Sequence, residues 1–257
     1  MTRIFQSNSG KKALVAYITA GDPNLETTLE LMHSLAANGA DIIELGVPFS
    51  DPMSDGPTIQ RAAERALANG VSLADVLETV RRFRQSNQST PVVLMGYLNP
   101  IHKMGYEPFA RAAKAAGVDG VLTVDSPIET VVPLHNALKA AGLDTIFLVA
   151  PTTGEARMAE IAKLASGFVY YVSLKGVTGS ASLNTAEVAE KVAVLRRHVP
   201  LPICVGFGIS DAESARQIAA VADGVVIGSR IVKEIEANPG REAEAAGKLV
   251  KSLKEAV

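Results

Sequence analysis

With 257 residues, 47% of them hydrophobic, the chain can bury roughly 70–75% of its unfolded surface, so neither a disulfide framework nor a structural metal is needed to hold a core together. A formal net charge of −2, with no Lys/Arg run interleaved with aromatics, leaves no basic footprint for nucleic acid, whereas a small anionic ligand needs only a local site. The single cysteine, Cys204, sits in the apolar run Pro202-Ile203-Cys204-Val205 and is expected as a small buried hydrophobe in a reducing compartment. The segment Met1 to Lys12 is polar, and no apolar run approaches the ~20 residues that span a bilayer. A soluble, cytoplasmic protein is the expectation.

Taken in order, Ala13 to Ile18 predicts a first strand, closed by Gly21-Asp22-Pro23, and Leu25, Leu29, Met32 and Leu35 then recur at helical spacing up to Asn38-Gly39. Ile42 to Glu44 predicts the second strand. A loop rich in Gly, Pro and Asp follows, then a helix over Thr58 to Asn69 with Pro57 at its start, and a second helix phased on Leu73, Val76, Val80 and Phe83. Val92 to Tyr97 predicts strand three, Leu98-Asn99-Pro100 a loop, and Tyr106 to Ala116 a helix. The cycle then shortens: strands at Val121–Val124, Thr145–Val149, Phe168–Val172, Ile203–Val205 and Val225–Ile227 alternate with helices, and two helices close the chain.

A weak repeat marks the helix-to-strand turns, in Asn38-Gly39-Ala40-Asp41, Ala116-Gly117-Val118-Asp119, Ala141-Gly142-Leu143-Asp144 and the shorter Ala222-Asp223-Gly224. Near-continuous apolar strands imply burial on both faces, hence a parallel sheet wrapped by helices. Eight such cycles predict an α/β fold, a single (β/α)8 TIM barrel domain over residues 1–257 with extra helices; an open doubly wound sheet is the alternative.

In such a barrel the chemistry belongs to the loops that follow the strands. Glu44 ends an apolar strand and Asp55 sits in the loop after it, so two carboxylates on elements of different stiffness can face one substrate. Each has an ordinary explanation as well: a buried carboxylate with a neutralising partner for Glu44, a turn or cap for Asp55. Glycines in Gly176-Val177-Thr178-Gly179, Gly206-Phe207-Gly208 and Gly228-Ser229, with a helix starting at Ser229, suit a phosphate held by backbone amides, or merely tight turns. Asp51 and Asp125 suit loop-ordering roles. The histidines His33, His102, His135 and His198 are scattered without ligand spacing, so no metal site is expected. A Schiff-base aldolase would need a desolvated lysine on a barrel strand, and the only lysine expected near the open end, Lys175, falls inside a glycine loop, which disfavours that chemistry.

These motifs together resemble the tryptophan synthase α subunit family, over nearly the whole chain. The most specific is Glu44-Leu45-Gly46-Val47-Pro48-Phe49-Ser50-Asp51-Pro52 with Asp55-Gly56-Pro57; Gly21-Asp22-Pro23, Gly176-Val177-Thr178-Gly179, Gly206-Phe207-Gly208-Ile209 and Gly228-Ser229 follow in the family's order. The resemblance implies reversible retro-aldol cleavage of indole-3-glycerol phosphate to indole and glyceraldehyde 3-phosphate, with no cofactor in this subunit. It implies Glu44 as acid/base and Asp55 as partner of the indole N–H. It implies Tyr17, Tyr97, Tyr170 and Phe207 around the indole, with Tyr171 the rival of Tyr170. Thr178 is implied as a closing-loop residue, and Gly179, Gly208, Gly228 and Ser229 as the phosphate site. A β subunit carrying pyridoxal phosphate is the implied partner, in an α2β2 assembly, with Asp51-Pro52, Asn99 and Pro127 in loops facing it. Leu174-Lys175 departs from the family pattern and leaves closure of that loop open. A free-standing lyase and a non-catalytic activator subunit are the competing expectations.

Overall fold

The computed structural model describes residues 1, 4–5, 12–172, 185–206 and 208–257. Eight parallel strands, β1 (Ala13–Thr19), β2 (Ile42–Gly46), β3 (Val92–Gly96), β4 (Gly120–Thr123), β5 (Asp144–Val149), β6 (Val169–Val172), β7 (Ile203–Gly206) and β8 (Gly224–Ile227), pair in sequence order. β8 pairs back onto β1 through registers such as Val15 with Val226, so the sheet closes into a (β/α)8 barrel rather than an open sheet.

Around it lie α1 (Leu25–Ala37), α2 (Pro57–Ala68), α3 (Leu73–Phe83), α4 (Leu98–Met104), α5 (Tyr106–Ala116), α6 (Val132–Ala140), α7 (Glu155–Leu164), α8 (Thr185–His198), α9 (Ala212–Ala219), α10 (Ser229–Ala237) and α11 (Glu242–Lys254). Among the described residues no helix is long and apolar enough to cross a membrane.

Alternation along the strands divides the apolar residues between two cores. Outward residues such as Leu14, Ile43, Leu94, Val121 and Tyr171 pack against the helices. Inward residues fill the barrel, with Val15, Ile42, Val93, Leu122, Ile146, Cys204 and Val226 in one cluster. Cys204 is a fully buried free thiol there, as its apolar setting predicts. Because this cluster plugs the interior, any opening must lie toward the strands' C-terminal ends.

One expected loop is helical. Leu98-Asn99-Pro100 forms the first turn of α4, β3 stops at Gly96, and Tyr97 becomes the N-cap with extended backbone. Pro100 is tolerated because an N–H in the first turn has no partner within the helix.

The repeated helix-to-strand turns acquire a purpose at the strands' N-terminal ends. Asp41 Oδ2 accepts the Leu14 N–H at 2.7 Å and the Lys254 ammonium at 2.7 Å. Asp119 Oδ2 accepts the Val92 N–H at 2.9 Å and the Arg84 guanidinium at 2.7 Å. Asp223 Oδ2 accepts the Ile203 N–H at 2.9 Å, with Arg196 2.9 Å away. Each carboxylate thus pins the start of the preceding strand and is neutralised by a helix-borne cation.

Candidate active site

Glu44 lies two residues beyond Ile42 on β2, so its side chain points into the barrel one step above the apolar plug. It is 1% exposed, and its Oε1 has no hydrogen-bond partner among the described residues. An unpaired buried carboxylate disfavours its charged form. Burial, and secondarily the negative charge of Asp55, push its pKa up to about 8. Glu44 is therefore held as a protonated acid at neutral pH, and among the described residues no cation pairs with it, as one would with a structural carboxylate.

Asp55 reaches the same cavity from the loop between β2 and α2. That loop is folded on itself by Asp55 N–H to Pro52 O at 3.0 Å and by the Gln60 amide donating to Asp55 O at 2.9 Å. The Tyr97 hydroxyl donates to Asp55 Oδ2 at 3.1 Å and accepts from the Ser54 N–H at 3.0 Å, while its ring stacks on Phe49 with centroids 5.1 Å apart. Burial raises the Asp55 pKa and the Tyr97 hydrogen bond opposes that shift. The turn-and-cap explanation fails for its side chain: Gly56 is the N-cap of α2 and no side chain caps that helix.

A cavity of about 290 Å³ joins these groups. Tyr17 and Tyr170 form part of its wall with Glu44 and Asp55, and alternation along β6 turns Tyr171 outward, which separates the two adjacent tyrosines. Both inward tyrosines need a missing neighbour. A Cβ at Gly46 would overlap the Tyr17 hydroxyl, and one at Gly206 would overlap that of Tyr170. Gly46, two residues after Glu44, thus makes room for a ring against β2, a packing reason that its motif does not disclose. The Tyr17 hydroxyl itself lies 3.2 Å from Thr19 Oγ1.

Gly208, in the loop after β7, lies on the same cavity as Gly228 and Ser229 at the start of α10. Gly228 is the N-cap, no side chain caps this terminus, and no acid occupies the first turn, so its amides and dipole face the opening uncompensated. Tyr97, expected in the wall, bears on the site through its bond to Asp55 instead. Asp125 orders a loop as expected, its Oδ1 accepting the Leu98 N–H at 2.7 Å. Thr178, Gly179, Phe207 and the departing pair Leu174-Lys175 lie outside the described residues.

The sequence reading missed Ser54, Ile59, Met95, Ile209, Arg230 and Lys233, which also line the cavity. Met95 was accessible by parity, two residues after inward Val93 on β3. Ile59 and Lys233 sit on helices and carry no comparable local signal.

Residues 5–257 match the model of a family described as "Tryptophan synthase alpha chain". The chain is 67% identical to the tryptophan synthase alpha chain of Neisseria meningitidis serogroup B, over 100% of both chains. Its structure is similar to a crystal structure of tryptophan synthase subunit alpha from Legionella pneumophila, with a TM-score of 0.92, 44% identity, and coverage of 100% and 98% of the two chains. It is likewise similar to a chain of the tryptophan synthase α2β2 complex of Pyrococcus furiosus, with a TM-score of 0.84, 38% identity, and coverage of 95% and 98%. Full-length identity of this order, joined to a barrel whose open end holds the signature carboxylates in one cavity, establishes that the chain belongs to the tryptophan synthase alpha chain family.

Proposed function

We propose that this chain cleaves indole-3-glycerol phosphate reversibly to indole and glyceraldehyde 3-phosphate, with Glu44 and Asp55 as its catalytic pair. The observation that carries the reading is one cavity that joins Glu44, whose pKa burial pushes up to about 8, to Asp55, held by the Tyr97 hydroxyl, with the N-terminus of α10 on its wall. Cleavage requires a proton on indole C3, which converts the ring to an iminium able to accept the electrons of the breaking carbon–carbon bond. Neutral Glu44 supplies that proton. Asp55 accepts the indole N–H, and its negative charge stabilises the positive charge developing on the nitrogen.

As the bond breaks, its electron pair restores the aromatic ring and the adjacent glycerol hydroxyl becomes the aldehyde. The Glu44 carboxylate left by the first transfer takes that hydroxyl proton, so the acid is regenerated and no net proton is consumed. Gly208, Gly228 and Ser229 hold the phosphate through backbone amides and the positive end of α10. Gly179 joins them and Thr178 closes the site over Asp55, as the family motif implies. Tyr17 and Tyr170 flank the indole, and the family motif implies Phe207 as a further pocket residue.

A pyridoxal-phosphate-dependent β subunit receives the indole and makes L-tryptophan, and a cytoplasmic location suits that pathway. The experiment is direct: purified chain is mixed with indole-3-glycerol phosphate and indole is followed with and without β subunit. We expect turnover that rises when β is added. A rate indifferent to β would identify a free-standing lyase, and no turnover in either mixture would overturn the catalytic reading.

A further inference from the structure

The charges on α10 run against its dipole. Arg230 lies in its first turn and Lys233 at its midpoint, Glu234 and Glu236 follow in its C-terminal half, and its first turn holds no acid. By contrast α1, α3, α9 and α11 carry Glu26, Asp75, Glu213 and Glu242 in their first turns, the arrangement a helix dipole favours. The reversed pattern costs free energy unless an anion occupies the space before the helix.

The two cations are not equivalent. The Arg230 guanidinium lies 2.5 Å from Glu234, and Glu236 is occupied by Arg61 and Arg65 at 3.4 and 2.9 Å. Lys233 has no hydrogen-bond or ion-pair partner among the described residues, yet its exposed side chain forms part of the catalytic cavity's wall beside Ser229. Lys233 follows Ser229 by four residues, so the two share a helix face, and helical side chains lean toward the N-terminus. The ammonium is thereby carried back over the first turn.

We infer that Lys233 is a substrate-positioning cation that attracts and orients the phosphate of indole-3-glycerol phosphate and of glyceraldehyde 3-phosphate. This rests on the reading that α10 holds the phosphate end of the substrate. The amides at Gly228 and Ser229 supply short-range hydrogen bonds, while Lys233 supplies the net positive charge that those neutral donors lack. Its role is in binding rather than bond cleavage.

The test uses the chain assembled with its β subunit. Lys233→Met should raise KM for both phosphorylated compounds roughly five- to tenfold, the scale of a monovalent charge near a dianion in a solvent-exposed site. KM for indole in the reverse reaction and kcat should stay within about twofold, and kcat/KM should lose part of its dependence on ionic strength. Lys233→Arg should restore all three. Lys233→Gln serves as a second neutral variant, with thermal unfolding checking that the fold is retained.

Unchanged KM for the phosphorylated compounds in both neutral variants would overturn the inference, as would an equal rise in KM for indole. Ser229→Asp separates the two levels of the argument. If it blocks phosphorylated ligands while Lys233→Met does not, α10 holds the phosphate without this lysine. If neither variant affects them, the phosphate lies elsewhere and the parent reading falls too.

Discussion

Carboxylates at the two ends of the barrel are treated in opposite ways. At the strands' N-terminal ends, Asp41, Asp119 and Asp223 each accept a strand N–H and face a Lys or Arg within 3 Å. At the other end Glu44 is more deeply buried than any of them and has no cation, and its Oε1 lacks even a hydrogen bond among the described residues. The first set stabilises the closed sheet through charge-assisted bonds. Glu44 is held as a neutral acid because burial and the charge of Asp55 both disfavour its ionised form. Identical chemistry becomes a staple or an acid according to what the fold places beside it.

Exchanging the groups that define each end should break this contrast, and the largest effect is expected at Glu44. Glu44→Gln removes the transferable proton while keeping shape, and indole release should fall by roughly 10²–10⁴ with the far-ultraviolet circular dichroism unchanged. Retained turnover would remove Glu44 from the acid/base role. Asp55→Asn should lower kcat by roughly 10²–10³, as loss of one preorganised electrostatic partner does. Because Asp55 helps to raise the Glu44 pKa, the same variant should also move that pKa downward. Carbon-13 labelling of the glutamates would detect it, and an unmoved titration would mean that the two groups do not sense each other.

Intermediate effects sharpen the picture. Asp119→Ala cuts a strand amide and Arg84 loose at the opposite end, so it should cost about 1–3 kcal/mol of stability while leaving kcat intact. Equal loss of activity would deny the division of labour between the ends.

The smallest effect is read from pH. Glu44 has a folded pKa raised from 4.5 to about 8, so the folded state binds its proton more tightly than the unfolded state. Its contribution to stability is therefore fully present below about pH 4.5 and lost as pH rises through about 8. Glu44→Gln should match the parent's melting temperature near pH 4.5 and exceed it by several degrees at pH 8.5. Turnover should decline above about pH 8 in the parent, because the acid needed for C3 protonation is then ionised.

Much of the frame was legible without coordinates. Strand positions followed from apolar runs such as Leu14–Ile18 and Ile42–Ile43, which must be buried on both faces. A helix start followed from Pro57, which opens α2. Legibility failed where neighbours outweighed local pattern. Leu98-Asn99-Pro100 carries loop residues yet is helical, since proline is harmless in a first turn. Tyr97 carries a strand-like aromatic yet reaches Asp55 from a helix cap. Lys233 gave no signal, because its meaning depends on a cavity built from β1, β2, β3, β6 and β8 as well as its own helix.

The sequence by itself determined the eightfold alternation, the family and the identity of the two carboxylates, because periodicity and motif are properties of residues close together in the chain. Only the tertiary structure decided that Glu44 is buried with no counter-ion among the described residues, that Tyr170 rather than Tyr171 faces the cavity, and that Gly46 and Gly206 yield space to tyrosine hydroxyls. Desolvation, parity and close packing arise when distant segments meet, and no local stretch of residues specifies them.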